Sequence, residues 1–196
     1  MESLMAMSVF ALVASATPGP VNIVGALCGA RFGPARALPF VTGATLCFTA
    51  LLLVFGAGVQ IGAAWMSALT KPMTLAGGGY LLWLAWRLAR AGEPVRGEAA
   101  ASVPGFWSGF VIQGLNPKAW IAAVSALTTF VLPLPDPGKA LVVFAALFTG
   151  ICWLSLAAWA CGGAGIGLRS FAGFNRAMAA LLVASVAWML WSVASA

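Results

Sequence analysis

Apolar residues run through this chain in six long blocks, separated by short segments that carry charged residues, proline or glycine. A helix needs about 20 mainly apolar residues to cross the hydrocarbon core of a bilayer. The pattern therefore predicts six transmembrane helices, spans 1 to 6, at Leu4 to Ala26, Leu38 to Ala63, Met73 to Ala89, Phe106 to Val131, Leu141 to Ala160 and Ala177 to Ser195. The fold class that follows is all-α integral membrane.

Composition agrees with this class. The chain of 196 residues is 62% hydrophobic and only 7% charged, whereas soluble domains carry about 25% charged residues. Long apolar runs, rather than alternating segments of about ten residues, exclude an outer-membrane barrel. We expect residues 1–196 to form one transmembrane transporter domain in contact with the lipid bilayer. The net charge of +6 comes from basic residues at the block edges, so it does not indicate nucleic-acid binding.

The distribution of basic residues predicts the orientation. Seven lie in the first, third and fifth loops and two in the second and fourth. Cytoplasmic loops carry the excess of Lys and Arg, so the odd loops are expected inside and both termini outside. Ala14-Ser15-Ala16 has the form of a signal-peptide cleavage site, but Glu2 precedes it and no basic residue does. We therefore expect span 1 to remain as a helix.

The hydrophilic loop 90–103 is predicted to be cytoplasmic and divides the chain into halves at about 1–92 and 104–196. Each half has three spans, and an odd number per half predicts that the halves are inverted relative to each other. Ser15-Ala16-Thr17-Pro18-Gly19 and Gly114-Leu115-Asn116-Pro117-Lys118 share one pattern of small, any, polar, proline, any. Proline-interrupted helices at matching places in two halves indicate a transporter binding site. The prediction is two inverted three-helix repeats with broken helices 1 and 4.

Lys118 is the only charged residue between Gly105 and Leu132. A charge near the middle of a bilayer costs at least about 2.5 kcal/mol on insertion scales, which suggests a polar cavity. Snorkelling to an interface is the alternative, although long apolar stretches flank the lysine. Within a cavity, Lys118 would pair with a substrate carboxylate or exchange a proton during transport. Asn116 and Gln113 share a helical face and would add hydrogen bonds.

The two prolines and the glycine of Thr17-Pro18-Gly19-Pro20 are expected to interrupt the backbone hydrogen bonds in the middle of span 1. One interpretation is a kink satisfied by neighbouring helices. The other is a broken helix whose second half offers amides to an anionic group. Asn22 would line the same cavity or bond to another helix. Tyr80, the only tyrosine, would reach the cavity or lie at the membrane interface.

Several chemistries are excluded by absent residues. The chain has no histidine, and its four acidic residues all fall outside the predicted spans. We therefore expect no metal site, no cofactor, no carboxylate proton relay and no hydrolytic enzyme. The four cysteines are interpreted as small buried hydrophobic residues. Glycines four residues apart are expected to let helices approach closely; they are Gly25, Gly29 and Gly33, Gly58 and Gly62, Gly105 and Gly109, and Gly163 and Gly167.

The chain resembles the LysE/RhtB family of amino-acid exporters over nearly its whole length. Proline-glycine-proline in span 1 combined with Asn-Pro-Lys in span 4 is the most specific feature. The full set is Thr17-Pro18-Gly19-Pro20 with Asn22, Gly29-Ala30-Arg31-Phe32-Gly33, Gly43, Tyr80-Leu81, Phe106 with Gly109, Asn116-Pro117-Lys118 and Asn175-Arg176. This chain departs from the family pattern at Cys47, Ala85, Thr128-Thr129-Phe130 and Ala179, which bears on the substrate more than on the fold.

The resemblance implies a six-span carrier in the bacterial inner membrane that exports a small amino acid or derivative with the proton-motive force. A homodimer is a further option. The residues alone leave two other classes open, a passive channel and a non-transporting membrane scaffold. The expected substrate site comprises Thr17, Pro18, Gly19, Pro20, Asn22, Tyr80, Gln113, Asn116, Pro117 and Lys118.

Overall fold

A computed structural model describes residues 2–58, 103–167 and 171–194, together with scattered positions between 75 and 90. Every regular element in this described part is helical. The helices are α1 (Glu2–Ala16), α2 (Pro20–Phe32), α3 (Pro34–Gly58), α4 (Phe106–Gly114), α5 (Pro117–Ala126), α6 (Pro137–Gly167) and α7 (Phe171–Ala194). A π-helical segment, Leu127–Val131, follows α5 directly.

The predicted spans correspond to these helices with shifted ends. Both α3 and α6 are long and apolar enough to cross a membrane. The α1–α2 pair, bent by 60°, has the length and composition of a third span if it crosses as one broken helix rather than as a re-entrant loop. Span 6 corresponds to α7. The α3 and α6 helices begin earlier than predicted, at Pro34 and Pro137, because a proline is favoured in the first helical turn. Most of span 3, Tyr80 and residues 91–102 lie outside the described residues.

The broken helices 1 and 4 are both present. Gly19 is extended (φ −162°) and precedes α2, which begins at Pro20. Proline has no backbone N–H to donate, so α1 does not continue through this segment. In span 4 the break falls at Leu115 and Asn116, and α5 begins at Pro117. Each break therefore ends at a proline that starts the second helix of its pair.

Glycines let two helix pairs touch backbone to backbone. Along the α2–α6 crossing, a Cβ on Gly29 would collide with the carbonyl oxygen of Ala160, and one on Gly163 with that of Ala26. The predicted role of Gly29 and Gly163 in close packing is confirmed.

The α3–α4 crossing is built in the same way. A Cβ on Gly43 would collide with the carbonyl oxygen of Phe106, and one on Gly109 with that of Phe40. Gly109 thus also behaves as the spacing predicts. Among the described residues, a Cβ on Gly33, Gly58 or Gly105 would have no neighbouring atom within 4 Å, so the spacing overpredicts close contact there.

Aromatic rings stack in the middle of the bundle, while large apolar side chains of several types cover its outside. Phe48 on α3 stacks on Phe148 on α6 with ring centroids 4.1 Å apart. Several large apolar side chains are more than half exposed on the outer surface, as expected for contact with lipid tails; they include Met5, Val54, Trp107, Val142 and Leu154.

The cysteine prediction holds for three of the four positions. Cys28, Cys47 and Cys152 are buried, and all four thiols are free. Cys161 is exposed, so the prediction of burial is wrong there. The neighbouring Gly162 also has open space beside it, which shows that this part of the α6 surface faces away from the other described helices.

Substitution of Gly163 by alanine should destabilise the bundle. The added methyl group meets the Ala26 carbonyl, so α2 and α6 must move apart, and overpacking of this kind costs about 1–3 kcal/mol. Gly162→Ala is the matched control, because its methyl group enters open space. The melting temperature of the detergent-purified protein should fall for Gly163→Ala only. Equal melting temperatures for the two variants would contradict a backbone contact at Gly163.

Candidate substrate site

The two helix breaks meet at Lys118. Its Nζ donates hydrogen bonds to the backbone oxygen and to the Oγ1 of Thr17, each at 2.8 Å. A Cβ on Gly19 would lie 3.2 Å from both Cδ and Nζ of Lys118, so the lysine packs closely over the break in span 1. A lysine ammonium has three N–H donors. Two are directed at Thr17, and one remains for another acceptor.

Three consecutive carbonyls at the end of α1 receive hydrogen bonds from side chains. Ser15 O accepts from Asn22 Nδ2 at 2.7 Å, Ala16 O from Trp159 Nε1 at 3.1 Å, and Thr17 O from Lys118. A helix end leaves such carbonyls without intrahelical partners, and no lipid tail can supply one. The break in span 1 is therefore held by partners from α2, α6 and α5.

The break in span 4 is satisfied largely from within. Asn116 Oδ1 accepts from the backbone N–H of Lys118 at 3.1 Å and caps α5. Asn116 Nδ2 donates to Gln113 Oε1 at 3.1 Å, and Trp120 Nε1 donates to Gly114 O at 2.8 Å. These bonds fix Asn116 and Gln113 in place beside Lys118.

The second helices of the two broken spans, α2 and α5, differ in how their N-termini are capped. Asn116 caps α5, whereas Gly19 at the start of α2 has no side chain to do so. The first backbone N–H groups of a helix lack intrahelical partners and favour an anion. Of these two helices, α2 therefore presents first-turn amides without a side-chain cap next to the Lys118 ammonium.

A cavity of about 30 Å³ lies beside these groups. Its polar wall consists of Ser15, Asn22, Gln113, Asn116 and Lys118. The remaining wall is formed by small or apolar side chains, namely Ala14, Val21, Phe48, Ala119, Ala122, Phe148, Cys152 and Leu156. About 10–15 Å³ is enough for one water, so the cavity has room for one or two waters but not for an amino acid.

The structure brings most of the predicted site residues together. Asn22, Gln113, Asn116 and Lys118 line the cavity, and Thr17 holds the lysine. The remaining described members, Pro18, Gly19, Pro20 and Pro117, shape the two breaks rather than line the cavity. Tyr80 lies outside the described residues. Snorkelling of Lys118 is not what the structure shows, since its ammonium bonds to Thr17.

Sequence reasoning missed Ser15, Cys152 and Trp159 as parts of this site. Ser15 is 6% exposed, and among the described residues its Oγ is the one buried side-chain polar atom without a hydrogen-bond partner. A buried hydroxyl without a partner costs about 1–3 kcal/mol. Ser15 is the first residue of the pattern that residues 15–19 share with residues 114–118. Nothing in that pattern indicates that the Ser15 side chain faces a cavity.

No described carboxylate neutralises Lys118. The ion pair in the described part of the chain joins Lys139 Nζ to Asp136 Oδ2 at 3.0 Å, at the exposed start of α6. The Lys139 backbone N–H donates to Asp136 Oδ1, which holds the pKa of that carboxyl below its ordinary value. The residues described contain no group of side chains suited to a metal ion.

Paired helix breaks around a polar site within an apolar bundle define a class, the helical membrane transporters. Residues 12–195 match the model of the family described as LysE type translocator. The chain belongs to this family. It is a multi-pass membrane translocator and not an enzyme.

Several similar proteins carry the same name. A cysteine/O-acetylserine efflux protein of Klebsiella pneumoniae is 30% identical over 154 residues, which cover 79% of this chain and 78% of the relative. Proteins of the same name from Salmonella typhimurium and Escherichia coli O1:K1 are each 30% identical over 158 residues, covering 76% of this chain and 80% of the relative. No solved structure matches the chain.

Replacing Trp159 by phenylalanine should loosen the break in span 1. The ring volume is largely kept, but the indole N–H that bonds to Ala16 O is lost. A carbonyl left without this partner costs about 1–3 kcal/mol. Trp107→Phe is the control, because Trp107 is 72% exposed on the outer surface. Thermal unfolding in detergent should detect the loss at position 159 alone, and an unchanged melting temperature there would show that the indole bond contributes nothing.

Proposed function

We propose that this protein is a secondary-active exporter of a small amino acid or amino-acid derivative. The observation that carries the proposal is the position of Lys118. Its ammonium lies between two broken helices, keeps one N–H donor beyond those used on Thr17, and has no carboxylate partner among the described residues. A carboxylate that arrives with the substrate supplies the missing charge.

Two sets of donors converge on that carboxylate. The free N–H of Lys118 is one, and the uncapped first turn of α2 is the other. Charge-assisted hydrogen bonds of this kind are stronger than neutral ones. Asn22 Nδ2 is bonded to Ser15 O, so Asn22 Oδ1 is left to accept from the substrate ammonium. The described cavity lining contains no acid that could pair with a cationic side chain, which favours a zwitterionic or neutral cargo.

The cargo is expected to be small. Ala14, Ala119 and Ala122 line the cavity, and the stacked pair Phe48 and Phe148 closes another side. The relatives named for cysteine and O-acetylserine efflux support a cargo of that size and polarity. Cysteine, serine and O-acetylserine are therefore the first candidates.

The cavity is too small for such a cargo, so it must widen during transport. At the two crossings, α2 on α6 and α4 on α3, glycines meet main-chain atoms, which cannot rotate aside. Contacts of α1 and α5 run instead through aromatic side chains such as Phe10 on Phe130 and Trp120 on Phe55. We infer that α1 and α5 move relative to the two crossings, with the helix breaks as hinges.

The remaining architecture is proposed on the same basis. Six spans form two inverted repeats in the bacterial inner membrane, with both termini outside. In support, each broken span packs on the second span of the opposite half, α2 on α6 and α4 on α3. The α2–α6 and α4–α3 crossings would then lie toward the cytoplasm, where α2 ends near Arg31 and α3 begins near Arg36. A homodimer stays a prediction from the sequence.

The proton-motive force is the proposed energy source. The described acids, Glu2 and Asp136, lie at the ends of helices, so the middle of the described spans has no carboxylate to relay protons. Coupling then falls to Lys118, to the titratable groups of the cargo, or to water. A passive channel or a non-transporting scaffold would show no uphill export and no dependence of export on the proton-motive force.

Lys118→Ala should abolish export while the protein stays in the membrane. Loss of charge-assisted bonds worth about 1.5–3 kcal/mol predicts a rate at least about tenfold lower. Cells are loaded with dipeptides of single amino acids, and the amino acid released outside is measured with and without the gene. Lys139→Ala is the matched control, since Lys139 is exposed and pairs with Asp136 far from the cavity. Wild-type export by Lys118→Ala, with equal protein in the membrane, would refute the proposed role of Lys118.

An uncoupler should stop net export against a gradient. Proteoliposomes preloaded with labelled amino acid, with an imposed proton gradient, give the rate with and without uncoupler. Without uncoupler, the labelled amino acid should move against its concentration gradient. With uncoupler, its concentrations on the two sides should only become equal. Movement that never exceeds equilibration in either condition would identify a channel. No movement of any amino acid would favour the scaffold.

A further inference from the structure

Ser15 differs from five other hydroxyl side chains in the described helices and at their ends. Serine and threonine inside helices commonly bond to the carbonyl four residues earlier. The described helices and their ends show this bond at Ser8, Thr17, Thr49, Thr128 and Thr149. Ser15 Oγ makes no such bond, although it is buried. Its side chain points away from its own helix and into the cavity that contains Lys118.

The surroundings of Ser15 leave it few partners. The cavity wall next to it consists of Cys152, whose sulfur accepts from Thr45 Oγ1 at 4.0 Å, and of the apolar side chains Phe48, Phe148 and Leu156. The backbone carbonyl of Ser15 is already bonded to Asn22. The Ser15 hydroxyl makes no hydrogen bond of good geometry. It lies within reach of a weak contact with the Cys152 side chain, and its oxygen keeps acceptor capacity for whatever enters the cavity.

The cavity wall combines two kinds of group. The ammonium of Lys118 lies beside the break that precedes α2, and both suit a carboxylate. Ser15 and Cys152 line the same cavity together with apolar side chains. An amino acid held by its carboxylate at Lys118 would have its side chain among these uncharged groups.

We propose that Ser15 determines specificity by binding the hydroxyl or thiol of the cargo side chain. This inference rests on the proposed export function and adds the class of cargo, amino acids with a small uncharged polar side chain. A site that hydrogen-bonds such a group discriminates against an analogue that lacks it, because the buried protein hydroxyl is then left without a partner. A serine present only because it is small would tolerate alanine with no change in preference.

Serine and 2-aminobutyrate make the test sharp, because the side-chain hydroxyl of one is replaced by a methyl group of similar size in the other. Export of each from proteoliposomes gives two values of kcat/KM and their ratio. The wild-type ratio should favour serine, and Ser15→Ala should lower it about tenfold, the effect of one hydrogen bond to a buried group. Ser15→Thr keeps a hydroxyl and should retain most of the preference. Ser8→Ala, on the same helix but bonded to Leu4 O, should leave the ratio unchanged.

Each other outcome overturns the inference in a distinct way. An unchanged ratio in Ser15→Ala would show that Ser15 does not contact the cargo side chain. An equal fall in kcat/KM for both amino acids, with normal protein yield and melting temperature, would show that Ser15 supports transport without recognising the cargo side chain. Failure of the wild-type protein to export either amino acid, or cysteine under reducing conditions, would overturn the proposed function itself and this inference with it.

Discussion

The structure depends on satisfying backbone groups that are freed where two helices break inside an apolar bundle. Water normally bonds to such groups, but lipid does not. At the end of α1 the carbonyls of residues 15, 16 and 17 are bonded to Asn22, Trp159 and Lys118. These partners come from three different helices. One local defect in the chain thus specifies how α1, α2, α5 and α6 meet.

The same constraint explains how a charged lysine is tolerated. Lys118 stabilises the broken end of α1, and this contact gives its ammonium two acceptors without any carboxylate. Hydrogen bonds from neutral groups offset only part of the cost of burying a charge. The site therefore gains most from a ligand that carries a negative group. Lys118 therefore has a structural role and a recognition role at once. The two acceptors on Thr17 hold its ammonium in place, but they carry no negative charge to neutralise it.

The sequence was sufficient to predict the breaks but not everything that holds them. Proline next to Thr17 and Asn116, and one charge in a long apolar run, predict broken helices and a polar cavity from local rules alone. Trp159 bonds to a residue 143 positions away, and no pattern in the sequence indicates that pairing. The direction of the Ser15 side chain and the π-helical turn at Leu127–Val131 depend on tertiary packing in the same way. Cys161 shows the converse, since a residue type that is usually buried lies on an outer face.

Packing divides the bundle into a stiff part and an adjustable part. Where Gly29, Gly43, Gly109 and Gly163 bring backbones together, any displacement must break contacts between main chains, which cannot rotate aside. Where α1 and α5 pack through phenylalanine and tryptophan, side chains can change rotamer while the helices shift. The substrate cavity lies at the boundary between these parts, beside both breaks. A binding site placed there can change its volume while the two crossings that define the fold stay intact.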